Sequence, residues 1–204
     1  MRQMEQHLQH LSKRRMLKMY KVIAIVGPSG SGKDTLLKKI SEFRKIHKII
    51  GYTTRPIREG EIDGVDYHFI SPTDFAEKVL SFEMIEATSF NNWFYGTGLS
   101  DLKDDVVNVG VFNPEAAEIL RSCQFIDLTI YYLKVSDKIR LLRQLNREED
   151  PNVSEIIRRY TTDKNDFENF ESNDDIPYIV LKNDTQEDFK AALERIFETI
   201  DGAL

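Results

Sequence analysis

The feature that most constrains the fold of this chain is a short apolar run followed at once by a glycine-rich turn and an amphipathic segment. Residues Lys21 to Val26 are mostly β-branched or small and apolar, which predicts a buried strand. The segment after the turn has apolar residues at helical spacing and predicts a helix that starts near Lys33. These apolar residues are Leu36, Leu37, Ile40 and Phe43.

The turn between strand and helix fits the pattern G-x-x-x-x-G-K. Glycines let successive backbone N–H groups point toward phosphate oxygens, and the helix N-terminus adds positive charge character. Lys33 would bring its ammonium group to the β- and γ-phosphates. The turn therefore predicts binding of ATP phosphates by Gly27, Pro28, Ser29, Gly30, Ser31, Gly32 and Lys33.

The position after Lys33 departs from this pattern, which has Ser or Thr there to bind Mg²⁺. This chain has Asp34, followed by Thr35. A carboxylate is a good Mg²⁺ ligand, although it repels a triphosphate when the metal is absent. Alternatively, Thr35 supplies the hydroxyl, or Asp34 only stabilises the helix N-terminus. We expect Mg²⁺ dependence, with Asp34 and Thr35 as candidate ligands that also belong to the ATP site.

Short β-branched runs alternate with amphipathic ones along the rest of the chain. Strands separated by helices imply a parallel sheet with right-handed crossovers. The predicted fold class is therefore α/β, with a P-loop NTPase-type parallel sheet flanked by helices, a small β-rich insert and a helical lid. Further strands are expected at 49–53, 66–70, 82–87, 93–95, 106–112, 128–135 and 178–181. Further helices are expected to begin at Ser71, Ser136 (running through Arg147), Ser154 (running to about Phe170) and Thr185.

Composition narrows the function classes. The net charge of −6 argues against a general nucleic-acid binder, which is usually basic. Cys123 is the single cysteine, so no intrachain disulfide can form, and we expect it to be a small buried residue. The apolar run near the start is too short to span a membrane. We expect a cytoplasmic protein, and residues 1–20 are expected to form a poorly ordered extension.

Three motifs further along the chain carry a resemblance to one family. The first two are Thr53-Thr54-Arg55-Pro56-Ile57-Arg58-Glu59-Gly60-Glu61 and Gly64-Val65-Asp66-Tyr67-His68-Phe69. The third is Glu86, nine residues before Tyr95-Gly96-Thr97. They resemble the guanylate kinase motifs T-T-R-x-x-R-x-G-E, G-x-D-Y-x-F and a glutamate before Y-G-[ST]. The similarity runs from about Lys21 to Ile200.

The resemblance implies transfer of the γ-phosphoryl of ATP to GMP or dGMP, with Mg²⁺. Two arginines on a turn can clamp a monophosphate, and tyrosine hydroxyls can donate to it. A carboxylate can accept from the guanine N1–H and the exocyclic amine, which adenine does not offer together. The GMP-binding residues are expected to be Arg55, Arg58, Tyr67, Glu86, Tyr95 and Thr97, with Thr97 near the guanine O6.

The resemblance also assigns a mobile lid and divides the chain. Arg143, Arg147 and Arg159 match lid arginines and are expected to act in catalysis with Lys33; Asn183 matches an asparagine near the donor base. Arg159 is preferred to its neighbour Arg158. The expected single domain, residues 21–204, has a core of 21–50, 101–139 and 171–204, a GMP-binding insert of 51–100 and a lid of 140–170. A monomer or a homodimer is expected.

Two departures from the family bear on base selection. The family has Ser where this chain has Gly51, and an acidic segment where this chain reads Asn108 to Asn113. Asn108 and Asn113 are the candidates for a partial substitute of the missing acid. Two alternatives remain open. One is a ribose bisphosphate phosphokinase-like enzyme, which the Gly-Lys-Asp form of the loop resembles. The other is a catalytically inactive guanylate-kinase-like binding module.

Overall fold

The centre of the protein is a parallel β-sheet. The computed structural model describes residues 19–58, 60–90, 92–147 and 149–203. All strand pairs of this central sheet are parallel, as expected for hydrophobic strands that are joined by helices. In spatial order they are β2 (His47–Lys48), β7 (Asn108–Phe112), β1 (Tyr20–Val26), β8 (Ile126–Lys134) and β9 (Ile179–Lys182).

Helices cover both faces of this sheet. On one face Ile23 and Ile25 of β1 pack with α1 (Lys33–Phe43) and α6 (Gln186–Ala203). On the other face the alternate residues of β1 pack with α3 (Pro114–Ser122) and α5 (Val153–Glu171). This alternation confirms the predicted α/β class, because successive side chains of a strand point to opposite faces. Cys123 is buried in the second of these cores, as expected.

A second, smaller sheet forms the predicted β-rich insert. Its order is β4 (His68–Phe69), β3 (Tyr52–Thr53), β6 (Trp93–Gly98) and β5 (Met84–Phe90). Helix α2 (Pro72–Leu80) packs on β5 and begins as predicted, since the Ser71 side chain accepts a hydrogen bond from the Asp74 N–H. A 3₁₀ turn at Leu99–Asp101 returns the chain to the main sheet.

The lid helices differ from their predicted bounds. Helix α4 (Asp137–Leu145) ends two residues before Arg147, because the acidic residues that follow oppose the negative end of a helix. Its predicted cap, Ser136, directs its hydroxyl to Asp184 at 2.6 Å instead. Helix α5 is capped by Asn152, whose side chain accepts from the Glu155 N–H, and not by Ser154.

Several strand bounds also differ. Residues 49–51 are not in a strand, and the strand predicted from Phe82 begins at Met84, because Phe82 has a φ of +58° and turns the chain. The cap predicted at Thr185 is confirmed, with the Asp188 N–H donating to its hydroxyl at 3.1 Å. Residues 1–18 of the predicted extension lie outside the described residues, and β1 starts at Tyr20. Within the described ranges, no helix is both long and apolar enough to cross a membrane.

Candidate functional site

The glycine-rich turn lies at the carboxyl end of β1, where open α/β sheets bind ligands. Gly30 and Gly32 have φ values of +78° and +94°. A Cβ at Gly30 would lie 2.6 Å from the Arg140 carbonyl oxygen, and one at Gly32 would lie 2.8 Å from Asn183 Nδ2. Both positions therefore require glycine, for backbone conformation and for space. We call residues 27–33 the phosphate loop.

Lys33 begins α1 and folds back over the phosphate loop. Its Nζ donates to the Gly27 carbonyl at 2.6 Å and to the Pro28 carbonyl at 3.2 Å. Burial lowers its pKa, and the negative charges of Asp34 and Asp163 oppose that shift. The ammonium group is thus held at the loop by weak neutral acceptors, which a phosphate would replace with charge-assisted partners.

A buried ion pair that the sequence analysis missed braces the phosphate loop. Arg140 of α4 and Asp163 of α5 lie 3.1 Å apart, and both are almost fully buried. Asp163 Oδ2 also accepts from the Ser29 N–H at 2.6 Å, while Arg140 Nε donates to the Ser29 carbonyl. The available sequence signal was an aspartate four residues before Phe167 on the apolar stripe of a helix.

Two other predicted residues contact the phosphate loop. Arg143 Nη1 donates to the Ser31 carbonyl at 3.3 Å and Nη2 to the Asn183 carbonyl at 2.8 Å. The buried Asn183 side chain donates to the same Ser31 carbonyl at 2.7 Å. The structure therefore brings Asn183 to the backbone of the loop, where its amide N–H is already engaged.

The two candidate metal ligands lie in the first turn of α1, and both are exposed. The charge of Asp34 acts on Lys33 and also, after burial, helps raise the pKa of Tyr67. Asp34 is thus electrostatically coupled to both the phosphate loop and the insert. Mg²⁺ commonly takes one or two carboxylates together with phosphate oxygens and water. One exposed carboxylate beside a phosphate loop fits that donor set. No group of three or more His, Cys, Asp or Glu in the described ranges forms a metal cluster.

The first predicted clamp arginine is held by a glutamate of its own motif. Arg55 makes two parallel hydrogen bonds of 2.9 Å to the carboxylate of Glu61, and their side chains are 6% and 14% exposed. Glu61 Oε2 also accepts from the Arg58 N–H at 2.8 Å. One carboxylate therefore contacts both predicted clamp residues, a link that the motif alone did not reveal.

Cationic and phenolic groups converge beside this pair. The pKa of Arg58 is lowered, first by burial and then by the positive charges of Arg55 and Arg159. The ring centroids of Tyr67 and Tyr95 lie 6.0 Å apart. The positive charges of Arg55 and Arg159 disfavour the Arg58 cation, so this convergence points to an anion as the missing partner.

The predicted lid arginines differ from one another in exposure and in partners. Arg159 donates to Glu155 at 2.6 Å and is 25% exposed, whereas Arg158 is 43% exposed and pairs with the same carboxylate. Bonding to these two arginines lowers the pKa of Glu155 to about 2. Arg147 is exposed beyond the end of α4, and its side chain makes no hydrogen bond or ion pair with the described residues.

Glu86 on β5 carries the least satisfied buried group of the insert. It is 3% exposed, and its Oε1 accepts from the Thr97 hydroxyl at 2.7 Å. Its Oε2 has no hydrogen-bond partner among the described residues. Burial raises its pKa to about 7. A buried acceptor without a partner is rare in native proteins, and a ligand donor is a physical explanation for it.

Thr97 is hydrogen-bonded to Glu86, and Gly51 lies beside Thr97. The single proton of the Thr97 hydroxyl points to Glu86, so Thr97 offers lone pairs and not a donor toward a base. A Cβ at Gly51 would lie 3.0 Å from the Gly96 carbonyl oxygen and 3.9 Å from Thr97 Oγ1. The serine that the family has here is therefore missing from the pocket itself.

The structure separates the two asparagines considered as substitutes for the missing acid. Asn108 is buried at the start of β7, where it bonds backbone groups of Lys103 and Lys21, far along the strand from its carboxyl end. Asn113 follows the end of β7, caps α3 through the Ala116 N–H and donates to the Thr88 hydroxyl at 2.7 Å. Only Asn113 is connected to the strand that carries Glu86.

The fold and this site define a P-loop nucleotide-binding protein of the nucleoside monophosphate kinase class. The family model for guanylate kinase matches residues 19–200. A guanylate kinase of Wigglesworthia glossinidia brevipalpis is 32% identical over 169 residues, which cover 79% of each chain. One from Campylobacter jejuni strain RM1221 is 28% identical over 176 residues, covering 83% of this chain and 84% of the relative.

A solved structure agrees at the level of the fold. The crystal structure of guanylate kinase from Anaplasma phagocytophilum superposes with a TM-score of 0.64 at 21% identity, covering 92% of this chain and 88% of that one. The chain belongs to the guanylate kinase family. It is accordingly an enzyme of that family, and these comparisons do not support the ribose bisphosphate phosphokinase or the inactive module.

Proposed function

We propose that this chain transfers the γ-phosphoryl of ATP to GMP or dGMP, giving ADP and GDP or dGDP. The observation that carries the acceptor assignment is the buried Glu86 carboxylate with Oε2 unpartnered. Guanine presents its N1–H and exocyclic amine as two adjacent donors, which an ionised carboxylate can accept together. A site built for hydrogen bonding rejects bases that leave it unpaired, so Glu86 selects guanine.

The donor half of the site is the phosphate loop with Lys33. Its backbone N–H groups and the N-terminus of α1 would hold the phosphates of ATP. Lys33 would leave the carbonyls of Gly27 and Pro28 for phosphate oxygens. Asp34 is the favoured ligand for Mg²⁺, with Thr35 second, and the ion would supply charge neutralisation of the triphosphate. Asn183 and Arg143 position the phosphate loop by donating hydrogen bonds to its Ser31 carbonyl.

The acceptor half of the site is the insert. Arg55 and Arg58 would bind the monophosphate, with Tyr67 and Tyr95 donating phenolic hydrogen bonds. Glu61 keeps the Arg55 guanidinium in one orientation before the substrate arrives. Such preorganisation lowers the entropic cost of binding.

Transfer needs no protein nucleophile. Catalysis consists of bringing the two phosphates in line and stabilising the charge that spreads over the migrating group. We assign that stabilisation to Lys33 and to Arg143, Arg147 and Arg159 of the lid. Because α4 and α5 also carry the ion pair that braces Ser29, closure of the lid would act on the phosphate loop directly.

The same proposal keeps the predicted division of the chain. The core (21–50, 101–139 and 171–204) would bind ATP, the insert (51–100) GMP, and the lid (140–170) would exclude water. We also propose that the protein is cytoplasmic, that it is a monomer or a homodimer, and that it has no nucleic-acid or membrane partner.

The proposal is tested by ADP release from ATP and Mg²⁺ at pH 8. The acceptors are GMP, dGMP, AMP, UMP, CMP and ribose 1,5-bisphosphate. Turnover with GMP and dGMP is expected to be well above turnover with any other acceptor. Turnover with the sugar phosphate alone would contradict the acceptor assignment, and no turnover with any acceptor would contradict the reaction itself.

Replacing Glu86 by Ala is expected to lower kcat/KM for GMP at pH 8 by about 100-fold and to reduce the preference for GMP over AMP. The melting temperature should change by less than about 5 °C, because the variant also removes a buried acceptor that lacks a partner. Glu77→Ala, on the exposed face of α2, is the matched control. If the melting temperature of Glu86→Ala falls in proportion to GMP turnover, Glu86 is structural.

Replacing Asp34 by Asn is expected to weaken binding of Mg²⁺–ATP about tenfold and to tighten binding of metal-free ATP, because a repulsive charge is removed. Titration calorimetry with Mg²⁺ or with a chelator measures both affinities. Thr35→Val tests the second candidate ligand, and it should change neither affinity by more than about twofold if Asp34 binds the metal. The reverse pattern would assign the metal to Thr35.

A further inference from the structure

The base pocket contains one carboxylate in otherwise neutral polar surroundings. Thr97 faces Glu86 across the β5–β6 pair, and Thr88 lies on the same face of β5 two residues on. Asn113 donates to Thr88, so a neutral amide and hydroxyl continue the pocket. The hydrogen-bonding character of this pocket therefore depends on the protonation state of a single group.

Charges near Glu86 do not favour its ionised form. Of the elements packed against β5, α3 contributes Glu115, a like charge, and Cys123 at its end. Helix α2 contributes Lys78, which pairs with another glutamate, and β6 contributes Tyr95. No cation in the described part of the chain forms an ion pair with Glu86. Burial without a counterion raises the pKa of Glu86 to about 7.

The two protonation states match two different purines. Ionised Glu86 offers acceptors only, which suit the N1–H and the exocyclic amine of guanine. A proton on Oε2, the oxygen without a partner, turns that oxygen into a donor, while Oε1 keeps its bond from Thr97. Adenine has an acceptor at N1 in the position where guanine has N1–H. The protonated pocket can therefore bond the adenine ring where the ionised pocket cannot.

Thr97 independently suits a 6-amino group. Its hydroxyl proton is directed to Glu86 Oε1 at 2.7 Å, so its lone pairs remain for a ligand. An amino group at position 6 of a purine can donate to those lone pairs, whereas a 6-oxo group cannot. The hydroxyl keeps this orientation when the proton sits on Oε2, because Oε1 is then still an acceptor.

We propose that the acceptor site takes a second nucleotide, AMP, through the form of the pocket in which Glu86 Oε2 carries a proton. This rests on the proposed function, because AMP would occupy the same site and receive the same phosphoryl group. From a pKa of about 7, about a tenth of free Glu86 is protonated at pH 8 and about nine tenths at pH 6. When the pH falls from 8 to 6, the fraction of enzyme that can bind AMP should rise about tenfold, and the fraction that can bind GMP should fall about tenfold.

The test is the ratio of kcat/KM for AMP to that for GMP between pH 8 and pH 6, with ATP and Mg²⁺. We expect it to rise by up to about 100-fold. Ionisation of the substrate phosphate, with a second pKa of about 6, cancels in the ratio because both nucleotides carry the same group. Calorimetry in buffers of different ionisation enthalpy should show proton uptake when AMP binds and proton release when GMP binds near pH 7.

Glu86→Gln mimics the protonated acid, because its amide presents one donor and one acceptor. Its AMP-to-GMP ratio should be high and should not change between pH 6 and pH 8, whereas Glu77→Gln should behave as the wild type. A ratio for the wild type that does not change with pH, or AMP binding without proton uptake, would overturn the inference. Absent GMP turnover at pH 8 would instead refute the proposed function, and the proton count on AMP binding would still decide the inference.

Discussion

Replacing Lys33 by Ala is expected to lower kcat by about 1,000-fold, and the variant is expected to remain folded. One preorganised donor to developing charge contributes about 100- to 1,000-fold, and Lys33 also neutralises the phosphates that must approach each other. Among the described residues its Nζ donates hydrogen bonds to carbonyl oxygens only, so its removal leaves no ion-pair partner behind. Steady-state ADP release with GMP at saturating ATP measures the effect.

Lys38→Ala is the matched control for this prediction, since Lys38 is an exposed lysine one turn further along the same helix. It should keep full activity, and both variants should melt within about 5 °C of the wild type. If Lys33→Ala retains more than about a tenth of the activity, the loop backbone alone provides the stabilisation. The assignment of Lys33 as a catalytic group is then wrong.

Replacing Arg55 by Ala is expected to raise KM for GMP by about 100-fold or more, because a charge-assisted contact with the phosphate is worth about 2–5 kcal/mol. The same change leaves Glu61 largely buried without its partner. Breaking a buried ion pair on one side costs about 3–5 kcal/mol, so stability should fall as well. Initial rates over a range of GMP concentrations and a thermal melt measure the two effects separately.

The double variant Arg55→Ala, Glu61→Ala separates binding from folding. It should recover most of the lost stability, because no lone charge remains buried, and it should keep the raised KM for GMP. A double variant that recovers both would show that Arg55 is structural and that Arg58 binds the phosphate without it.

Local sequence determined the parts of the protein that depend on neighbouring residues. The apolar run before Gly27 and the helical spacing after Lys33 are short-range patterns, and the structure confirms both β1 and α1. The caps at Ser71 and Thr185 follow from a side chain reaching an N–H three residues on, so they too were predictable. The ends of α4 and α5 were not, because several polar residues in that turn compete to cap or terminate a helix.

Tertiary structure alone decided which groups meet across long sequence separations. The ion pair of Arg140 and Asp163 reaches Ser29, and Asn183 reaches Ser31, through contacts that no local pattern encodes. Likewise, only the fold decided that Asn113, after the end of β7, contacts the strand of Glu86, whereas Asn108 lies at the start of β7. The motifs thus specified which chemical groups the chain carries. Which of these groups lack a hydrogen-bond partner, above all Oε2 of Glu86, depends on burial and packing. Burial and packing arise only when distant segments of the chain come together.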